Sequence, residues 1–314
     1  MLSNQNHSKQ PIIFIIGATA VGKSDVALKL AQKIHGEIIS CDSMQIYKEI
    51  NIASNKPDAA DLKKVKHHLV GTISVTEEFD VAQFNKSVGA CIQKIHNDGG
   101  IPIVVGGSGM YIQILLDGIF EGAPKNDELR EQLRFQAKQY GNEYLYDKLK
   151  KIDHEAALKI HTNDLKRLIR ALEVATIEKK PISQLKKNRA GLWGEYDIKI
   201  FVLNRNRAEL YQKINERVDH MIARGLVDEI QALKDLPLSQ TARYAIGIKE
   251  ILSYLNGERE LKTAVELMKQ NTRRFAKQQL TWFRPDARFQ WINIEGHTTL
   301  NEIVEKIKDQ INYE

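Results

Sequence analysis

The chain has two cysteines, Cys41 and Cys91, and few aromatics, 7% of its residues. Two isolated cysteines build neither a disulfide framework nor a Cys-based metal cluster, so a reducing, cytoplasmic location is expected. No apolar run approaches the roughly eighteen residues of a membrane-spanning helix, and no membrane partner is expected. Met1 to Gln10 is polar and lacks the apolar stretch of a secretory signal. Internal repeats, low-complexity tracts and long linkers are also missing, and no obligate protein partner is evident.

What is present describes an ordinary folded chain: 314 residues, 42% apolar and 27% charged, enough for a full core and about two domains. The positive charge is not spread evenly. Asp164 to Arg189 holds eight Lys/Arg against three Asp/Glu, and Lys269 to Arg288 holds six against one. These two segments carry more than the whole net charge of +6. Clustered cations suit a polyanionic partner, because each one that meets a phosphate releases condensed counterions; a solvated helix face is the bland alternative.

The most informative stretch is Gly17-Ala18-Thr19-Ala20-Val21-Gly22-Lys23-Ser24, between the apolar run Pro11 to Ile16 and the helical periodicity of Val26, Leu30 and Ile34. Strand, glycine loop and helix in this order form the phosphate-holding pattern G-x-x-x-x-G-K-[ST]. The glycines let backbone N–H groups turn inward at the positive end of the helix. Lys23 would meet terminal phosphate oxygens, and the Ser24 hydroxyl would complete the coordination of Mg²⁺. The second strand, Glu37 to Ser43, ends in Asp42 and Ser43, which in an open α/β sheet lie beside that loop. Asp42 can act there as a proton acceptor or hold a metal-bound water, or it can cap a following helix. His67 and His68 are adjacent and point to opposite sides of a strand, which argues against a two-His metal site.

Further along, Asp80 opens a helix, and Ile101 to Val105 is a buried strand running into Gly106-Gly107-Ser108-Gly109. From about Asp117 the strand signal stops, and helices are expected over Asn126 to Tyr140, Asn142 to Ile152 and Asn163 to Lys179. The third sets Lys166, Arg167 and Arg170 opposite Leu165, Leu168, Ile169 and Leu172. Its tail, Lys179 to Arg189, completes the first basic cluster. Lys199 to Leu203 returns to strand, and Arg207 to Leu233 reads as one long helix with Arg217 and Arg224 beside its apolar stripe. Arg so placed serves an anion or covers apolar surface. Lys262 to Trp282 is a helix mixing Arg273, Arg274 and Lys277 with Phe275, Trp282 and Phe283, suited to stacking on single-stranded nucleic acid. Phe289 to Ile292 closes the sheet, and Thr299 to Ile311 is a terminal helix. The expected fold is α/β, a P-loop-type parallel sheet flanked by helices (1–116 and 198–314), with an inserted all-helical domain over 117–197.

Taken together, Gly17 to Ser24, Asp42-Ser-Met-Gln-Ile-Tyr47, Gly106-Gly-Ser-Gly-Met-Tyr111, Asn163 to Glu173, Arg217-Val-Asp219 with Gly225-Leu226, Ala245 to Glu250, and Thr272 to Phe283 resemble the successive motifs of the tRNA dimethylallyltransferases. The resemblance runs from about residue 12 to residue 292. It implies a dimethylallyl diphosphate donor and prenylation of N6 of the adenosine 3′-adjacent to the anticodon, position 37, in the tRNA anticodon stem-loop. By the same resemblance, Gly17, Ala18, Thr19, Ala20, Val21, Gly22, Lys23 and Ser24 hold the diphosphate, with Mg²⁺ on Ser24. Asp42, Arg217 and Thr19 are the implied catalytic residues. The implied tRNA contacts are Asp42, Ser43, Met44, Gln45, Ser108, Arg130, Lys166, Arg167, Leu168, Ile169, Arg170, Arg273 and Lys277. Ala18 stands where the family usually has Pro, Ser108 where it has Thr, Ile248 where it has Tyr, and Phe275-Ala-Lys-Gln278 where Tyr-Ala-Lys-Arg is common. The alternative from another class is a small-molecule or nucleotide kinase using the same loop to bind ATP.

Overall fold

A computed structural model describes residues 9–120, 124–187 and 189–311. Residues 1–8, most of the stretch examined for a signal, and Asn188 of the first basic cluster lie outside the described residues. The chain divides into two compact units, Met1–Ile114 with Trp193–Glu314, and Leu115–Leu192.

The first unit is built on six parallel strands: β1 (Pro11–Gly17), β2 (Gly36–Cys41), β3 (His67–His68), β4 (Ile101–Gly106), β5 (Asp197–Arg205) and β6 (Gln290–Ile294). Their order is β3-β2-β4-β1-β5-β6. Central β1 is apolar without alternation because both its faces are covered; Ile12 to Ile16 are fully buried. On one face α1 (Lys23–Ile34) packs Val26, Ala27, Leu30 and Ala31 against the sheet. The short α2 (Ala59–Lys64) precedes β3, and α3 (Val81–Asn97) starts at Asp80 with a capping box closed by Gln83. After β4 comes α4 (Gly109–Asp117). Because β2 follows β1 in sequence but lies beyond β4 in space, the loop after β1 opens into the crevice at the carboxyl edge, where open α/β sheets take ligands.

The second unit holds α5 (Asp127–Tyr140), α6 (Asn142–Ile152), α7 (His154–Lys159), α8 (Leu165–Glu178) and α9 (Ile182–Lys187). Asn126, Asp153 and Asp164 accept backbone N–H groups at three helix starts, which is why the chain turns there. Leu133, Leu145, Leu149, Leu168 and Leu172 form the core.

Back in the first unit, α10 (Arg207–Ala223) and α11 (Leu226–Leu233) replace the single helix expected over Arg207 to Leu233. Gly225 takes φ 93°, a left-handed conformation that ends one helix and starts the next. The short α12 (Gln240–Arg243) and α13 (Ile248–Leu255) lead to α14 (Leu261–Phe283), and α15 (Leu300–Lys308) ends the fold behind its Thr299 cap. A second apolar cluster joins Ile46, Tyr47 and Ile50 to Val218, Met221, Ile248 and Met268.

Inside the helical unit one charge is fully buried. Glu173 accepts Arg130 Nε and the Asn126 N–H on Oε1, both at 2.8 Å, and Arg130 Nη2 and Arg170 Nη1 on Oε2 at 2.8 and 2.6 Å. Burial alone would raise its pKa; the Arg130, Asn126 and Arg170 hydrogen bonds overrule burial and hold it at about 2, against an ordinary 4.5. A carboxyl held below its unfolded value stabilises the fold above about pH 4.5, and that stabilisation is lost as pH falls toward 2. Glu173→Gln should therefore lower stability at pH 7 by about 3 kcal/mol. Thermal unfolding across pH 2 to 7 checks this: the variant should lose less stability on acidification than the parent, and an unchanged acid profile would contradict the assignment.

Candidate active site

The loop between β1 and α1 takes its shape from contacts that leave no room for side chains. Gly17 has φ 148°, and a Cβ there would sit 2.5 Å from the Leu203 carbonyl oxygen on β5. Gly22, at φ 102°, carries the chain into α1, while Ala20 between them holds a left-handed φ of 62°. Lys23 folds back so that its ammonium donates to Ala18 O at 2.6 Å, across the mouth of the cup. Arg205 Nε donates to Val21 O at 3.2 Å from the end of β5.

Three side chains converge on Thr19 and Lys23. Arg217 on α10 donates through Nη1 to Thr19 Oγ1 at 3.2 Å. Asp42 follows β2 directly, and its Oδ1 accepts the Met44 N–H at 2.8 Å. No helix starts there, so the alternative of Asp42 as a helix cap gives way to an Asx turn that aims the carboxylate at the crevice. Gln279 on α14 accepts the Thr19 N–H through Oε1 at 2.9 Å. Burial first, and nearby Arg217 second, lower the pKa of Lys23 against the opposing pull of Asp42, to about 7. Arg217 is likewise pushed down by burial, with Asp42 again opposing. Two cations are thus crowded beside a single anion, a deficit of negative charge that an anionic ligand would fill.

Two cavities share Thr19, Asp42, Ser54, Arg217 and Phe275. One, about 410 Å³, is polar and includes Lys23, Ser24, Gln45 and Arg224 in its wall. The other, about 350 Å³, is walled by Met44, Val218, Met221, Ala245, Ile246 and Met268. Ser43 and Ser108 lie at the polar end of this second chamber. Gln45 is locked in place: Oε1 accepts Ser40 Oγ at 2.8 Å, and Nε2 donates to Asn55 O at 3.2 Å. Glu229 on α11 fixes the segment that supplies that carbonyl, accepting the N–H groups of Asn51, Ile52 and Ala53 at 2.9, 2.7 and 2.9 Å. Among the described residues no group of three or more His, Cys, Asp or Glu could hold a metal by itself. Ser24 and Asp42 on one cavity wall are hard oxygen donors that fit Mg²⁺, which keeps several waters and shares phosphate oxygens.

Other residues expected at the site lie elsewhere or are already engaged. Arg273 is half-buried and donates to Asn215 Oδ1 at 2.5 Å, whereas Lys277 is exposed. Phe275 and Trp282 are exposed as stacking would require, but Phe283 is core, edge-on to Phe289. In the helical unit Lys166 and Arg167 are exposed. Leu168 and Ile169, expected at the tRNA contact, are buried in that unit's core and cannot present side chains to RNA. Arg130 is already engaged: its Nε and Nη2 donate to Glu173, and Arg170 shares that carboxylate. Sequence reasoning missed Gln279 and Glu229. For Gln279 a signal existed: it is the polar member of an otherwise apolar buried stripe on α14, Ala264, Met268, Ala276 and Phe283.

A glycine loop at the switch point of a parallel sheet here opens on a polar cavity that adjoins a methionine-lined one. The family model for IPP transferase matches residues 45–286, so the chain belongs to that family. A tRNA dimethylallyltransferase of Halothermothrix orenii is 45% identical over 90% of this chain and 87% of its own. Among solved structures, the full-length tRNA isopentenylpyrophosphate transferase of Bacillus halodurans superposes with a TM-score of 0.71 at 35% identity, covering 96% of this chain and 97% of that one. A eukaryotic dimethylallyltransferase acting on tRNA gives 0.82 at 28% identity over 95% of this chain and 77% of its own.

The depressed Lys23 generates a prediction. An anion in the cup restores the ammonium, so binding inorganic diphosphate at pH 8 should take up as much as one proton, and affinity should fall as pH rises above about 7. Calorimetry in two buffers of different ionisation enthalpy measures the uptake. Lys23→Arg, which stays charged, should abolish it; equal uptake by the variant would place the proton elsewhere.

Proposed function

We propose that this chain transfers a dimethylallyl group from dimethylallyl diphosphate to N6 of adenosine 37 of tRNA, releasing diphosphate. One observation carries the reading beyond the family: the polar cup of Lys23 and Ser24 and the methionine-lined chamber meet at Thr19, Asp42 and Arg217. A diphosphate head and a five-carbon tail fit that division, with the reacting carbon at the junction. A kinase would use the same loop, but its acceptor would call for polar groups where Met44, Met221 and Met268 stand.

In this reading Lys23, Arg217 and the loop N–H groups stabilise the negative charge that develops as the C–O bond to diphosphate breaks. Ser24 would hold Mg²⁺, which when bound would supply Lewis-acid stabilisation of the same leaving group. Asp42 accepts a hydrogen bond from the exocyclic amine and takes its proton as the N6–C bond forms. The adenine must leave the anticodon stack to reach this point, and by the family resemblance Ser43, Met44 and Gln45 line it. Lys166, Arg167, Arg273 and Lys277 are assigned to the RNA backbone.

Incubating the protein with tRNA and labelled dimethylallyl diphosphate, beside a tube with labelled ATP, tests the activity: label should enter tRNA from the first alone, and transfer from ATP alone would overturn it. Asp42→Asn should slow single-turnover transfer by about 10²- to 10⁴-fold with donor and tRNA affinity nearly unchanged; a near-normal rate would remove Asp42 from the chemistry. Replacing Lys166 and Arg167 by Ala should flatten the salt dependence of tRNA binding by about one unit of slope per lost phosphate contact. An unchanged slope would mean that this face meets only solvent.

A further inference from the structure

We infer that Gln279 is a positioning residue that holds the phosphate loop in its donor-binding shape and ties it to α14. Its side chain is 5% exposed and spans two backbone groups from different strand ends. Oε1 accepts the Thr19 N–H at 2.9 Å, and Nε2 donates to Gly107 O at 3.0 Å. The planar amide accepts from one backbone and donates to the other at once; an ionised carboxylate of the same length lacks the donor, and an apolar side chain lacks both. The site is shaped for this contact, since a Cβ on Gly107 would lie 2.3 Å from Gln279 Nε2 and 2.9 Å from Gly17 O.

Thr19 is consequently held from two sides, its amide by Gln279 and its hydroxyl by Arg217. The N–H of Thr19 is thereby withdrawn from the set facing a phosphate, and the next residue, Ala20, is the one in the left-handed region that only surrounding contacts can maintain. Without the amide, the loop loses its tie between Thr19 and the end of β4 and relaxes toward shapes that present fewer inward N–H groups. Phe275 and Trp282, four residues before and three after Gln279 on the same side of α14, are partly exposed where they line a cavity with it, whereas Lys277 is exposed on the other side of the helix. This inference rests on the transferase reading for what the loop binds.

The test compares Gln279→Met, which keeps the length and removes both bonds, with Gln279→Glu, which keeps the acceptor for Thr19 and sets a carboxylate against Gly107 O. Inorganic diphosphate binding, donor KM, tRNA Kd and thermal midpoint are measured on each. Both variants should bind diphosphate at least about 10-fold more weakly and raise donor KM comparably, with tRNA Kd within about two-fold of the parent. A residue that only stabilises the fold would lower the midpoint and the active fraction and leave these constants alone, and that result overturns the inference. Should Gln279→Met not fold, the near-isosteric Gln279→Glu carries the test. Failure of the parent to bind diphosphate would count against the transferase reading, whereas normal binding by both parent and variants would count against Gln279 alone.

Discussion

The catalytic end of this protein depends on how closely its strand ends crowd together. A Cβ on Gly17 would collide with the β5 backbone, one on Gly106 would come within 2.0 Å of Cys41 O on β2, and one on Gly107 would strike both Gln279 and Gly17 O. Side chains at the ends of parallel strands ordinarily project from the two faces of the sheet and add bulk there. Here glycines remove the side chains, so that β1, β2, β4 and α14 deliver their termini to one small volume. That volume is where Thr19, Lys23, Asp42 and Arg217 meet.

Crowding of this kind carries an electrostatic consequence. Lys23 is half-buried among these backbones, and a second cation stands beside it. The residues of the site thus carry a surplus of positive charge, which an anionic ligand would offset. Preorganisation extends outward by ordinary hydrogen bonds: Glu229 gathers three N–H groups, the segment it holds orients Gln45, and Ser40 completes the lock on that amide. Turns held by these hydrogen bonds, together with α10, α12 and α14, therefore face the chamber.

Much of this was legible in the residues themselves. The apolar run into Gly17, the Lys23-Ser24 pair and the caps Asp80, Asn126 and Thr299 each have a local physical cause, and local causes can be read from sequence. Gly225 was equally visible, but an apolar stripe continuing on both sides of it masked the break between α10 and α11. Arg130 is assigned to RNA by resemblance, and Arg170 also by its place on a basic helix face; the buried Glu173, far from Arg130 in sequence, pairs with both inside the helical unit, a contact no local pattern encodes. Leu168 and Ile169 were assigned by resemblance, against the amphipathic pattern of their own helix, and the pattern prevailed. Gln279 and Glu229 act through backbone groups more than 170 residues away, a pairing that no local pattern encodes.

The account stands or falls on a single molecule straddling the two chambers, its diphosphate at Lys23 and its prenyl group among the methionines. Methionine methyl resonances report that directly, because Met44, Met221 and Met268 line the apolar chamber whereas exposed Met110 does not. With an unreactive thio-analogue of dimethylallyl diphosphate, the signals of those three should shift and saturate together while Met110 stays still. Inorganic diphosphate should move them far less. Equal shifts from diphosphate and from the prenylated analogue, or shifts produced by ATP instead, would contradict the assignment of that chamber to the prenyl group.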